Sequence, residues 1–401
     1  AMIIPKPLSS TEFYIFTVGA YFNTEVPGFN YYTIDMSLNG GLGKVVGGPT
    51  DLSGSLSLQW TEKVAAVKGA DCNTNWVISY DGAYLKSYKV DASGVNTTPV
   101  SSYAPPPFGG EDRRGYLKVS PDGKKIAIAH FLYTQDNPIG DSSVFIYDFN
   151  DATGQASNPI RIFDDSNNLE HAYGLEFSRQ SGRLYASTFD GIRNKVYQYD
   201  LTSTDVANSS VLIQNQVGYR GALQLGPDGK IYATVPFDYW NGTRYLDVIN
   251  APDELGTGCD YQQDVIDLGS GMATQGLPPF LSSIFSPIEI TGDDGSGNSI
   301  VLNGQLVDLC LGDDLIISPE PLSGTATYEW TFNGNVVSTT EDLVLTNIQL
   351  TDIGDYNLEV TSVDACGRTS FRNGNFSIQS VNEPPTANTV TTQIVCDPAY
   401  S

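Results

Sequence analysis

The stretch from Leu117 to His130, LKVSPDGKKIAIAH, decides the fold. Two short apolar runs flank Pro121-Asp122-Gly123, where proline presets φ for a tight turn and glycine accepts the positive φ that closes it. Beyond the turn, Ile126 and Ile128 alternate with Ala127 and Ala129, the period of a β-strand. The same strand–turn–strand pattern returns from Leu175 to Thr188 (LEFSRQSGRLYAST) and from Leu223 to Val235 (LQLGPDGKIYATV). A third strand follows each hairpin, at Val144–Phe149, Val196–Leu201 and Tyr245–Ile249. A fourth is expected at Ile160–Phe163, Val211–Ile213 and Val265–Leu268.

Four antiparallel strands recurring at about 50 residues mark the blade of a β-propeller. Two less regular copies come first, one through Met2–Pro5, Phe13–Val18 and Tyr31–Met36, the other through Val64–Lys68, Trp76–Tyr80 and Tyr84–Val90. The reading is therefore an all-β chain with a propeller over residues 1–285, about five blades of a ring of six or seven. Its first strand begins at the first residue, so ring closure is expected to need residues upstream of Ala1, or the ring is open.

Residues 286–303, with their GDDGSGN run, read as a linker. An immunoglobulin-like β-sandwich is expected over 304–381, with strands at Leu315–Ser318, Tyr328–Phe332, Leu343–Leu345, Tyr356–Thr361 and Phe371–Ile378. Trp330 stands where such domains bury a core tryptophan, and Asp352-Ile353-Gly354-Asp355-Tyr356 resembles their tyrosine corner. Leu358 occupies the usual position of the second cysteine, so the standard inter-sheet disulfide is not expected. Cys310 and Cys366 are candidate partners that the usual topology would set near opposite ends of the sandwich. The five cysteines, Cys72, Cys259, Cys310, Cys366 and Cys396, fit neither a zinc site nor a thioredoxin motif, and residues 382–401 read as a linker and the opening of a further module.

The chain of 401 residues carries a formal charge of −25 and 40% hydrophobic residues. Such a field repels phosphate backbones and anionic lipid, so no nucleic-acid partner is expected, and no run of apolar residues suits membrane insertion. No signal peptide is visible at the N-terminus. There are two histidines, and His130, at the end of an apolar strand, reads as structural. Ser79-Tyr80-Asp81-Gly82 misses the sialidase box, and no nucleophile elbow, phosphate loop or zinc-protease motif occurs. Gly292-Asp293-Asp294-Gly295 lacks the spacing of a calcium loop and reads as a solvated turn. No catalytic residue, metal or cofactor is therefore expected. One constellation is a binding candidate. Arg113, Arg114, His171, Tyr173, Tyr219 and Arg220 come just before innermost strands, at the mouth of a propeller's central channel, where cations and aromatics could hold an anionic or sugar ligand. The competing reading pairs the arginines with Glu111 and Asp112.

Ala1–Val18, Tyr116–Ala129, Gly221–Ala233 and Gly276–Phe280 (GLPPF) resemble the propeller region of very large secreted Bacteroidetes proteins, which end in a gliding-motility-associated type IX sorting domain. The resemblance spans roughly residues 1–285 and implies that this chain is a fragment, since the family's N-terminal propeller segment and sorting domain are not in it. It implies passage through the type IX outer-membrane translocon, display on the bacterial surface, and no known chemistry. The expectation is a non-enzymatic display or adhesion module meeting a surface glycan or protein. The alternatives are a propeller glycoside hydrolase or lyase, and a stalk with no ligand.

Overall fold

The computed structural model describes residues 1–19, 28–56, 60–71, 73–105, 113–131, 142–164, 170–281, 283, 288–293, 299–322, 324–363 and 369–382. The chain divides into two compact units, Ala1–Phe285 and Ser286–Ser401.

The first unit is a β-propeller-like series of five antiparallel sheets, each with strands joined in chain order. Their first strands are Met2–Pro5, Val64–Lys68, Leu117–Val119, His171–Phe177 and Leu223–Leu225. Consecutive sheets pack face to face through separate apolar cores. Ile78 and Leu85 of the second sheet meet Val119 and Ile128 of the third, and Ala129 and Val144 of the third meet Leu175 and Leu184 of the fourth. Tyr185 and Val196 of the fourth then meet Leu223 and Ile231 of the fifth. A sheet that buries both faces against successive neighbours is a blade, and the first strands form its inner edge.

The hairpin turns share one geometry. Gly123, Ser181 and Gly229 sit at equivalent positions with φ of +73°, +61° and +78°. The N–H of each donates to the carbonyl three residues back, on Ser120, Ser178 and Gly226. Ser181 thus adopts a conformation that glycine takes without steric cost. Its Oγ accepts the N–H of Asp122 from the preceding blade at 3.2 Å.

The expected fourth strands Ile160–Phe163 and Val211–Ile213 lie within Gln155–Asp164 and Val211–Val217, while that expected at Val265–Leu268 overlaps Tyr261–Asp267, which ends one residue earlier. The first two blades also have outer strands, Lys44–Asp51 in one, and Gly94–Val95 with Val100–Tyr103 in the other. Gly47, Gly48 and Pro49 obscure the first of these, and such residues are tolerated because the strand lies at a sheet edge.

The second unit has two sheets about one core. Ser299–Val301, Ile290–Asp293, Leu315–Pro319 and Leu343–Leu345 form one. Leu306–Cys310, Thr369–Asn382, Gly354–Val363, Thr325–Phe332 and Asn335–Ser338 form the other, with its first pair parallel. Residues 286–303 are therefore not simply a linker. Ile290 and Leu302 are buried beside Ile317 and Trp330, and the strand Ile290–Asp293 pairs with Leu315–Pro319, so burial and hydrogen bonding outweigh the turn-rich composition between them. Gly292 and Asp293 of the suspected acidic turn belong to that strand, while Asp294 and Gly295 lie outside the described residues. Trp330 is fully buried and its Nε1 donates to the Glu341 carbonyl, while the Tyr356 hydroxyl donates to the Asp352 carbonyl at 3.1 Å. Cys72, Cys366 and Cys396 lie outside the described residues, as does the segment 383–401.

Close approach of the inner strands depends on Gly174 and Gly221. A Cβ on Gly221 would lie 1.7 Å from the Thr234 carbonyl oxygen, and one on Gly174 would lie 2.3 Å from that of Gly221. Ser187 Oγ bridges the two blades by donating to the Gly221 carbonyl at 2.7 Å and accepting the Gly174 N–H at 3.0 Å. Gly221→Ala is expected to cost about 1–3 kcal/mol or more through overpacking. Gly182→Ala, whose Cβ would have only Thr202 at 3.8 Å, should be nearly neutral. Denaturant titration of the two variants checks this pair.

Candidate functional site at the propeller axis

Polar side chains from three blades meet at the axis. Lys118, Glu176 and Gln224, each following the leucine that opens the hairpin repeat (Leu117, Leu175 and Leu223), occupy the same place in three inner strands. Lys118 Nζ donates to Glu176 Oε2 at 2.7 Å and to Gln224 Oε1 at 2.8 Å. Gln224 lies two blades beyond Lys118, so this contact reaches across the axial end of the intervening blade. Glu176 also accepts the N–H groups of Phe177 and Leu225, at 3.0 and 2.9 Å. All three side chains are buried, where an ion pair holds only if its remaining donors and acceptors are also satisfied.

Beside this network lies a cavity of about 200 Å³, lined by Glu62, Lys63, Tyr116, Lys118 and Tyr173 among others. Lys63 Nζ donates to the carbonyls of Arg113 and Arg114, at 3.1 and 2.6 Å. Among the described lining residues Glu62 is the one carboxylate. Burial raises the Tyr116 phenol well above its ordinary value, and burial first pushes that of Tyr173 up to about 12, so both stay protonated near neutrality. Leu277, Pro279 and Phe280 line the same cavity. They belong to a strap that ties the last blade to earlier ones. Gln275 Oε1 accepts Arg220 Nε at 2.7 Å, Leu277 backbone bonds the Tyr116 hydroxyl, Leu281 enters the core of the first two blades, and Ser283 Oγ accepts the Lys68 N–H.

The residues singled out from sequence do converge, but as a packed cluster. The Arg220 guanidinium lies 4.2 Å from the Phe131 ring centre, 4.9 Å from that of Tyr173 and 5.0 Å from that of Tyr219. Arg114 lies 4.8 Å from Phe131, and His171 meets the same ring edge-on. Arg220 is only 2% exposed, and Arg114 and His171 are also buried. Arg113 joins through its carbonyl, which receives Lys63 and the Glu62 N–H. Glu111 and Asp112, the suspected partners of the arginines, lie outside the described residues. Phe131, which four of the predicted residues touch, was not singled out because it follows the strand in sequence and carries no charge. Lys118, Glu176 and Gln224 were legible as one polar position repeated in three apolar strands. Glu170, just before His171, contacts Lys195, Thr188 and Tyr197. His130 is fully buried between Tyr80 and Phe145, and burial drives its pKa far down, so it is a neutral core group. Among the described residues no cluster of His, Cys, Asp or Glu could hold a metal ion.

No protein-family model and no curated protein matches the sequence. The solved structures it is similar to are β-propeller proteins such as lactonases and TolB. A periplasmic gluconolactonase of Pseudomonas aeruginosa is 16% identical with a TM-score of 0.41, covering 91% of this chain and 96% of its own. TolB of Acinetobacter baumannii is 13% identical with a TM-score of 0.33, covering 94% and 66%. An oligogalacturonate lyase in complex with manganese is 10% identical with a TM-score of 0.32, covering 75% and 96%. These likenesses assign none of those activities to this chain. They do correct the expectation that it is not an enzyme. Enzymes stand among the similar structures, so missing sequence motifs give no ground for excluding catalysis.

The axial ion pair makes a direct prediction. Lys118→Met leaves the Glu176 carboxylate buried without its cation and should cost about 3–5 kcal/mol. Adding Glu176→Gln, which removes the charge yet keeps an acceptor for the Leu225 N–H, should recover most of that loss. A double-mutant cycle by equilibrium denaturation measures both.

Proposed function

We propose that the first unit takes an acidic sugar into the axial cavity and cleaves it by β-elimination. The observation that carries this reading is the cavity wall itself, where Lys63, Lys118, Glu62 and the Tyr116 phenol meet in a protein of net charge −25. Lysines facing a uronate carboxylate would stabilise the negative charge that develops when the neighbouring carbon loses its proton. Glu62 would take that proton, and Tyr116, kept protonated by burial, would give one to the departing sugar oxygen. The carbon–oxygen bond breaks as the carbon–carbon double bond forms, so no oxidant or added water is consumed. Hydrolysis by a paired-carboxylate mechanism has less support, since Glu62 is the one carboxylate among the described lining residues and Glu170 is engaged by Lys195.

We further infer that this unit works on the outer face of a bacterial cell, as part of a type IX secreted protein. The propeller motifs and the following β-unit support that reading. We read the second unit as immunoglobulin-like, on the buried Trp330 and the Tyr356 hydroxyl bonded to the Asp352 carbonyl. Protease treatment of intact native cells should degrade the protein, and protection within the cytoplasm would refute surface display.

Incubation of the full chain with polygalacturonate, alginate and a glycosaminoglycan tests the chemistry. The expected product is an unsaturated uronate, seen by its ultraviolet absorbance, with Glu62→Gln and Tyr116→Phe each lowering kcat by about 100-fold or more. Reducing ends without that absorbance would indicate hydrolysis instead. Binding without turnover would leave recognition alone, and no binding would favour a stalk. Because the net field repels an acidic chain while the cavity attracts it locally, association should quicken as salt is raised.

A further inference from the structure

The fifth blade carries an unusual turn, Pro236-Phe237-Asp238-Tyr239-Trp240-Asn241-Gly242, between its second strand, Ile231–Ala233, and its third, Tyr245–Ile249. Three of its residues are large aromatics turned to solvent: Phe237 is 75% exposed, Tyr239 40% and Trp240 83%. Burial of aromatic surface is the usual outcome of folding, so three exposed rings on one turn call for a physical reason. The turn is held in place rather than loose. The Asp238 carboxylate accepts the N–H groups of Trp240 and Asn241 at 2.7 and 2.8 Å and the Asn241 side-chain amide at 2.7 Å. Phe237 N–H donates to the Asn241 carbonyl at 3.0 Å, and the Tyr239 and Trp240 rings meet edge-to-face at 4.7 Å. At the base, the Tyr219 N–H donates to the Pro236 carbonyl at 2.7 Å, and Thr243 pairs with Ala273 just before the strap. Tyr219 belongs to the aromatic cluster around Arg220, so the turn stands at the same end of the unit as the cavity.

We propose that Phe237, Tyr239 and Trp240 form a stacking platform for a neutral polysaccharide, separate from the axial cavity. A pyranose ring offers a flat C–H face that packs on an aromatic face, and rings already fixed by the turn lose little freedom on binding. The size of the feature favours a sugar chain over a protein partner. A stable protein interface buries about 800 Å² per side over some 20–30 residues, whereas this is one seven-residue turn with three rings. The charge of −25 opposes docking to anionic lipid and favours an uncharged polymer.

Affinity electrophoresis of the full chain in gels containing hydroxyethylcellulose, glucomannan or laminarin tests the platform. At least one polymer should retard the protein. Trp240→Ala should weaken that retardation about tenfold in apparent Kd, Phe237→Ala less, and Trp240→Tyr should restore part of it. Since these side chains are exposed, the melting temperature of each variant should match the parent. Retardation by none of the three polymers overturns the proposal, as does a Trp240→Ala variant that migrates like the parent. So does loss, in that variant, of self-association or vesicle binding in place of polysaccharide binding. These probes carry no carboxylate, so their outcome is independent of the elimination reading, and either can fail while the other stands.

Discussion

Inner strands of successive blades face one axis, and the polar side chains they direct there must find partners on protein groups in place of water. The Lys118–Glu176–Gln224 network meets that constraint with a cation, an anion and an amide drawn from three successive sheets. Water would otherwise solvate each group, and a charge buried without a partner costs several kcal/mol. The network thus works as an alignment device: the inner strands must keep their relative height along the axis for its bonds to form. Gly174 and Gly221 serve the same arrangement by letting backbone of the fourth and fifth blades come within a distance that a methyl group would prevent.

The electrostatics separate by length scale. Over the whole molecule acidic residues dominate, yet at the axis cations gather beside groups able to stabilise them without bulk water. Lys63 uses two main-chain carbonyls, Lys118 a carboxylate and an amide, and Arg114 and Arg220 the faces of Phe131 and Tyr173. Aromatic rings recur there because they attract a cation without adding a negative charge. An anion approaching from afar is repelled, whereas one at the cavity wall meets concentrated positive charge in a poorly screened setting.

Rigid blades leave the variable chemistry to what connects them. Among its described residues the strap from Gln275 to Ser283 has no ladder of its own, but it crosses from the fifth blade to the first three through side-chain bonds and one buried leucine. The aromatic turn at Phe237–Trp240 is likewise held by an aspartate rather than by sheet pairing. The turn is a place where residues can change without disturbing sheet-to-sheet packing, whereas the strap is bound to that packing through Leu281.

The repeat from Leu117, Leu175 and Leu223 determined by itself that the chain is all-β, where its hairpins turn and which strands follow in order. That information is local: alternation marks a buried face, and a proline or glycine marks a turn. The polar position shared by Lys118, Glu176 and Gln224 was also visible, but its meaning was not, because period-two patterning does not reveal whether a buried face meets an apolar neighbour or a charged one. Arg114, His171, Tyr173 and Arg220 were recognised as a group, while their enclosure around Phe131 was not, since it depends on rings contributed by separate blades. Residues 290–293 and 299–301 read as linker for a related reason. Short segments with turn-rich surroundings become strands only when a partner such as Leu315–Pro319 supplies hydrogen bonds and a core to bury Ile290. Local chain chemistry decided the strands and turns; tertiary structure decided which buried charges meet, because their partners lie as far as 106 residues apart in sequence and side by side across the axis.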